Sequence, residues 1–112
     1  MKSISLSIII PCFNEDYRIQ NTLKEIDKYF SKSNMTLETI IVDDGSADNL
    51  KMVIADLDIN NIKILRNDKN RGKGYSVCKG VSAAEGDFCL ICDADNSTPI
   101  GEFEILYDAI KN

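Results

Sequence analysis

Histidine is missing from all 112 residues of this chain. Without it, neither a Ser-His-Asp nor a Cys-His nucleophile arrangement can be built. Cysteine is scarce, with four residues, and Cys89-x-x-Cys92 alone has the spacing of a redox or zinc pair. That pair lies in an apolar run expected to be a strand, where residues three apart face opposite ways, whereas redox pairs of this spacing open a helix. The cysteines therefore read as reduced thiols filling apolar space, which suits a cytoplasmic protein. No run of about 18 apolar residues occurs, so no segment reads as a membrane span. The apolar start after Lys2 has no small-residue cleavage site and runs into Pro11-Cys12-Phe13-Asn14-Glu15, so it reads as a strand and not as a signal peptide. Basic charge is also short: the net charge is −5, against the basic surface that nucleic-acid binding needs. Neither G-x-G-x-x-G after the first strand nor G-x-x-x-x-G-K-[ST] is present, which removes the usual dinucleotide and phosphate-loop signatures.

What is present is a 44% hydrophobic chain of a length that makes one domain. Its apolar pattern alternates strand and helix four times. Residues 6–11 read as a buried strand, and Ile19, Leu23, Ile26 and Phe30 then recur on one helical stripe. A second strand at 37–42 precedes a helix carrying Leu50, Val53, Ile54 and Leu57, and a third strand follows at 62–65. Tyr75, Cys78 and Val81 are expected to line the packed face of a third helix that ends near Gly86. A fourth strand at 88–92 is expected to be buried on both faces. Pro99 then suits the first turn of a last helix with Phe103, Leu106 and Ile110 on its apolar side. Such alternation implies an α/β fold, with three layers around a mostly parallel sheet. In such sheets the ligand crevice lies beyond the carboxyl ends of the strands. Every polar cluster falls there: Asn14-Glu15-Asp16, Asp43-Asp44, Lys69 with Asn70-Arg71-Gly72-Lys73, and the stretch 93–98.

Asp93-Ala94-Asp95 is the most pointed of these. Alternation along an extended chain sends i and i+2 to one side, so the two carboxylates can converge beyond the sheet. Like charges held together call for a cation or a proton, and oxygen ligands suit Mg²⁺ or Mn²⁺ shared with a phosphorylated ligand. Read alone, the same triplet serves equally as a turn or helix cap. Phe13 can offer a flat face to a base and Glu15 can accept from a base or ribose, while Asn14 or Asp16 can cap the next helix. Adjacent aspartates point opposite ways, so at most one of Asp43 and Asp44 faces a ligand. Asp44 is the expected ligand group, accepting an N–H from a uracil or guanine ring, and Asp43 the structural one. Gly45 and Ser46 read as a turn and cap. Arg71 and Lys73 stand at a helix start with glycines that permit close approach, the makings of an anion site or of a solvated turn.

Together, residues 8–15, Ile41-Val42-Asp43-Asp44-Gly45-Ser46, Asn70-Arg71-Gly72-Lys73-Gly74, Gly86-Asp87-Phe88 and Asp93-Ala94-Asp95 resemble the inverting nucleotide-sugar glycosyltransferases of family 2, whose fold is called GT-A. The motifs occur in that family's order over essentially the whole chain, and the Asn70 and Asp93 stretches look most like the branch that glycosylates polyprenyl phosphates such as dolichyl phosphate. The resemblance implies a nucleotide-diphospho-sugar donor, UDP- or GDP-linked. Pro11, Phe13 and Glu15 would line the nucleoside pocket, with Val42 and Asp44 at the base and Ala94 near the ribose. Asp95 would hold Mg²⁺ or Mn²⁺, with Asp93 as second ligand or ribose contact. Some members carry a glutamine two residues after the second aspartate, where this chain has Ser97.

The acceptor, a lipid phosphate or a glycan, and the general base are expected beyond Asn112, so residues 1–112 are expected to be a donor-binding part inactive alone. Membrane association is expected only through parts absent from this chain, at the cytoplasmic face. The apolar fourth strand is expected to leave an open edge through which two copies pair. Two alternatives stand beside this: a non-catalytic nucleotide-sugar-binding module, and a nucleotidyltransferase, disfavoured because the segment after the first strand is acidic and not glycine-rich.

Overall fold

The computed structural model describes residues 4–46 and 50–95. Among the described residues four strands all run parallel: β1 (Leu6–Cys12), β2 (Leu37–Asp43), β3 (Ile62–Arg66) and β4 (Phe88–Ile91), in the order β3-β2-β1-β4. The helices are α1 (Asp16–Phe30), α2 (Leu50–Ala55) and α3 (Lys73–Ala83). β1 and β2 are central and covered on both sides, which is why they read as unbroken Ile and Val runs. The expected final helix with Pro99, Phe103, Leu106 and Ile110 lies outside the described residues, as does Ser97.

Alternation divides the core into two layers. Leu6, Ile8, Ile10 and Cys12 of β1 join Ile19, Leu23, Ile26 and Phe30 of α1 and Leu50 and Ile54 of α2 on one face. Ile9, Ile40 and Val42 form the other layer, beneath the end of α3. The α1 stripe is thus packed as its periodicity predicts.

The α3 prediction is corrected. Tyr75, Cys78 and Val81 are all exposed, and the helix buries Ser76 and Gly80 instead. A Cβ at Gly80 would run into the Ile9 and Val42 side chains, so the helix lies close on the sheet through its smallest residues. An apolar-periodicity argument looks for large residues and misses a face built from small ones.

β4 also differs from its expectation. It is an edge strand among the described residues, and its exposure alternates, with Phe88 and Leu90 half-buried and Cys89 and Ile91 exposed. One side packs against the α1 layer; the other, 39% exposed at Ile91, is uncovered. Among the described residues no helix is long and apolar enough to cross a membrane.

Strand order reverses between β1 and β4: the chain steps from β1 outward to β2 and β3, then returns past β1. In open parallel sheets a crevice lies at the carboxyl ends of the strands that flank such a reversal.

Candidate functional site

A cavity of about 300 Å³ occupies that crevice. Its wall takes Pro11, Cys12, Phe13 and Glu15 from the end of β1, and Asp44 from the end of β2. Asn70, Gly72 and Lys73 come from the loop into α3, and Asp93, Ala94 and Asp95 follow β4. Four segments distant in sequence thus meet where the strand order predicts.

The β1 exit is shaped by Asn14, whose φ of 52° turns the chain sharply and whose N–H donates to Ser46 Oγ at 2.8 Å. Asn14 is therefore not a helix cap, and Ser46 spends its hydroxyl joining two loops. Glu15 occupies the cap position of α1 without a side-chain cap bond. Glu15 lines the cavity, and Phe13, also on its wall, stands 44% exposed.

The two adjacent aspartates part as expected. Asp43 is structural: Arg66 Nη1 pairs with Oδ2, and Ser46 N–H donates to Oδ1 at 2.9 Å. Asp44 is buried at the cavity wall, but its oxygens are already engaged. It accepts from Asn67 Nδ2 at 2.8 Å, Arg71 N–H at 2.7 Å and Gly72 N–H at 3.0 Å. Burial works against its charge, yet these donors outweigh it and hold its carboxyl below the ordinary range. The anion at the start of α3 is thus the protein's own. Gly45 makes this possible: its φ is +78°, and a Cβ there would lie 2.7 Å from the Lys69 carbonyl carbon. Asn67 also donates to Ser76 Oγ at 2.9 Å, tying the loop to the buried face of α3.

Two expected residues do not reach the cavity. Val42 is fully buried in the layer beneath α3, because alternation turns it away from the crevice. Arg71 sends its guanidinium outward, where Nε donates to Asp68 Oδ1 at 2.9 Å and the group lies 5.2 Å over the Tyr75 ring. Its backbone serves the site; its side chain does not.

Asp93 and Asp95 both line the cavity, from a turn beyond β4 and not from the strand itself. β4 ends at Ile91, and Ala94 is buried with its carbonyl accepting from the Thr22 hydroxyl of α1. That bond ties the turn to α1, and the turn's three residues line the cavity. Lys73 Nζ lies 2.7 Å from Asp93 Oδ1, and this bond, with the charges of Asp93 and Asp95, holds the ammonium above the ordinary lysine range. Arg18 Nη1 lies 3.5 Å from Asp95 Oδ2. Beneath them burial, then the Asp93 charge, pushes the Cys92 thiol up to about 11, so it stays protonated.

Arg18, Thr22, Asn67 and Ser76 were not singled out by sequence reasoning. Each acts on a partner far along the chain or through a loop bond, and only the polar Thr22 within an apolar helix face offered a local hint.

Among the described residues no cluster of three or more Asp, Glu, Cys or His side chains could hold a metal. Two aspartates on one wall suit a hard divalent cation that completes its shell with phosphate oxygens and water, as Mg²⁺ commonly does. The donor set therefore fits Mg²⁺ or Mn²⁺ shared with a ligand.

Comparison with known proteins follows the same line. The sequence model of glycosyl transferase family 2 matches residues 7–112. A dolichyl-phosphate beta-glucosyltransferase of Dictyostelium discoideum is 34% identical over 115 aligned positions, covering 95% of this chain and 35% of the relative. The chain thus spans about a third of the length of the curated relatives it matches. S. aureus TarS 1-349 in complex with UDP-GlcNAc superposes with a TM-score of 0.73 at 25% identity, over 95% of this chain and 32% of that one. The mannosyltransferase PcManGT of Pyrobaculum calidifontis, in complex with GDP-Man and Mn2+, shares the fold with a TM-score of 0.74 at 23% identity, over 99% and 32%.

Proposed function

Because the chain belongs to glycosyl transferase family 2, we propose that its cavity binds the diphosphate of a UDP- or GDP-sugar for transfer to a polyprenyl phosphate. One observation carries this reading: all the expected donor-site residues except Val42 and Arg71 line one cavity at the reversal of strand order. The chain spans about a third of its relatives' length, and only the donor half of the reaction is assigned to it. The relatives' printed activity supports a lipid acceptor, and a reaction at the cytoplasmic face of a membrane is part of the same reading.

In this reading Phe13 stacks on the base, Glu15 accepts from the base or ribose, and Pro11 and Ala94 form the apolar walls. Asp44 acts indirectly: its carboxylate fixes the loop that presents Lys73 to the phosphates. Asp93 and Asp95 hold a divalent cation, which when bound supplies Lewis-acid stabilisation of the leaving diphosphate. The open side of β4, with Ile91 exposed, supports a further element of the proposal, pairing of two copies through that strand.

A thermal-shift panel of UDP, GDP, CDP and their sugars with Mn²⁺ tests the donor assignment, since a ligand of the folded state raises its stability. UDP or GDP is expected to raise Tm with Mn²⁺ and to lose the effect in Asp95→Ala. No shift with any nucleotide overturns the donor reading. An equal shift in EDTA overturns the metal role alone. A monomer at high concentration in sedimentation overturns the pairing.

A further inference from the structure

Four acidic side chains share the cavity wall, Glu15, Asp44, Asp93 and Asp95. Backbone amides and Asn67 answer Asp44. The other three face two cations delivered by different helices. Lys73, the first residue of α3, lies 2.7 Å from Asp93, and Arg18 of α1 lies 3.5 Å from Asp95 and 3.9 Å from Glu15. Each aspartate of the pair thus has its own internal cation. Both cations are accessible, with side chains 62% and 47% exposed, so neither is sealed in place.

Resting on the donor reading above, we propose that Lys73 and Arg18 are resident counter-ions that exchange partners when the donor binds. The divalent cation replaces them on Asp93 and Asp95, and the released ammonium and guanidinium turn to the diphosphate. Charge accounting makes the exchange cooperative. Two carboxylates with two monovalent cations are neutral, and so are two carboxylates with one divalent cation. The displaced cations then need the anionic diphosphate as their new partner. Metal arriving alone leaves Lys73 and Arg18 beside a dication, unfavourable by the same Coulomb term that favours the full complex. Arg18 and Lys73 are in this sense positioning residues that couple metal binding to nucleotide binding.

The test needs no turnover. Mn²⁺ is titrated without nucleotide, its free signal followed by electron paramagnetic resonance, in the wild type, Lys73→Met, Arg18→Met and Lys73→Arg. Lys69→Met, from the same basic stretch, is the control for general charge. Removing an exposed competing ion pair is expected to tighten Mn²⁺ about two- to fivefold in Lys73→Met and in Arg18→Met. Lys73→Arg and Lys69→Met are expected to stay near wild type. Added UDP or GDP is expected to tighten Mn²⁺ more in the wild type than in either Met variant. Unchanged or weaker Mn²⁺ binding in both Met variants overturns the proposal, as does an equal gain in Lys69→Met. Tightening in both Met variants with no nucleotide effect in any protein supports the resident counter-ions and overturns the donor reading instead.

Discussion

Glu38 and Asp44 stand at opposite ends of β2, both buried and both charged. Glu38, 0% exposed, accepts from the Ser7 hydroxyl and from the Glu85 N–H at 2.6 Å, and Lys63 Nζ lies 3.0 Å away. Burial opposes its charge, and these donors outweigh it, so its carboxyl is held below the ordinary range as that of Asp44 is. By electrostatics alone the two acids are twins. Their surroundings separate them. Glu38 closes the amino end of the sheet, joining β1, β2, β3 and the segment entering β4, with Gly86 N–H donating to the same Ser7 oxygen at 2.9 Å. Asp44 holds a loop that forms one wall of a cavity. A depressed carboxyl therefore marks a well-solvated buried charge, and only an adjoining cavity turns it into a functional lead.

Glu38→Ala is the largest expected break in this comparison. It leaves the buried Ser7 hydroxyl without its acceptor and Lys63 without its carboxylate, and a buried unsatisfied group costs about 1–3 kcal/mol. A loss of about 3 kcal/mol in urea unfolding is expected, with nucleotide affinity of the folded fraction unchanged. A lost nucleotide response in the folded protein would show that the amino end is not purely structural.

Asp44→Asn comes next and should fail in two ways at once. An amide in place of the carboxylate turns a donor either toward the Gly72 N–H or toward the Arg71 N–H and the Asn67 amide, at a cost of about 2 kcal/mol. The loop carrying Lys73 loses its anchor, so the nucleotide thermal shift should vanish while the fold survives. The acid limb offers an independent readout. A carboxyl held low in the folded state contributes stability that is present above its unfolded pKa and lost as pH falls through the folded one. Stability should therefore decline from about pH 4 downward, and Asp44→Asn should flatten that decline. A variant with full nucleotide response would leave Asp44 without a part in the site.

How far the sequence foretold this depends on the range of each interaction. The order of strands and helices, the α1 stripe and the crevice at the carboxyl ends follow from local periodicity, so they were legible. That Asp44, Asp93 and Asp95 stand at the cavity wall was legible because punctuation at strand ends is local too. Glu38 was not: within an apolar strand it looks like ordinary alternation, and its partners Ser7, Lys63 and Glu85 are supplied by strand register and the approach of β4. The Thr22 bond to Ala94 and the Arg18 pair with Asp95 join residues more than 70 apart, where no local pattern carries information. The exposed Tyr75, Cys78 and Val81 show the reverse error, an apolar stripe turned away from the sheet.

The smallest expected effects separate the two acids by the kind of donor each uses. Asp44 takes the backbone N–H of Arg71, which every residue but proline supplies, and the guanidinium is occupied with Asp68 outside the cavity. Arg71→Met should therefore leave nucleotide affinity within about twofold and urea stability close to wild type, as befits an exposed i,i+3 pair. Glu38 takes a side-chain cation, and Lys63→Met withdraws it from a buried carboxylate that keeps its two hydrogen-bond donors. Because Lys63 is itself 43% exposed, water shares its charge, and a small but measurable loss of stability, larger than that of Arg71→Met, is expected. Paired urea titrations of the two variants decide the matter. Should Arg71→Met prove the costlier, or weaken nucleotide binding tenfold, the guanidinium reaches the cavity in solution, and Asp44 relies on a side chain as Glu38 does.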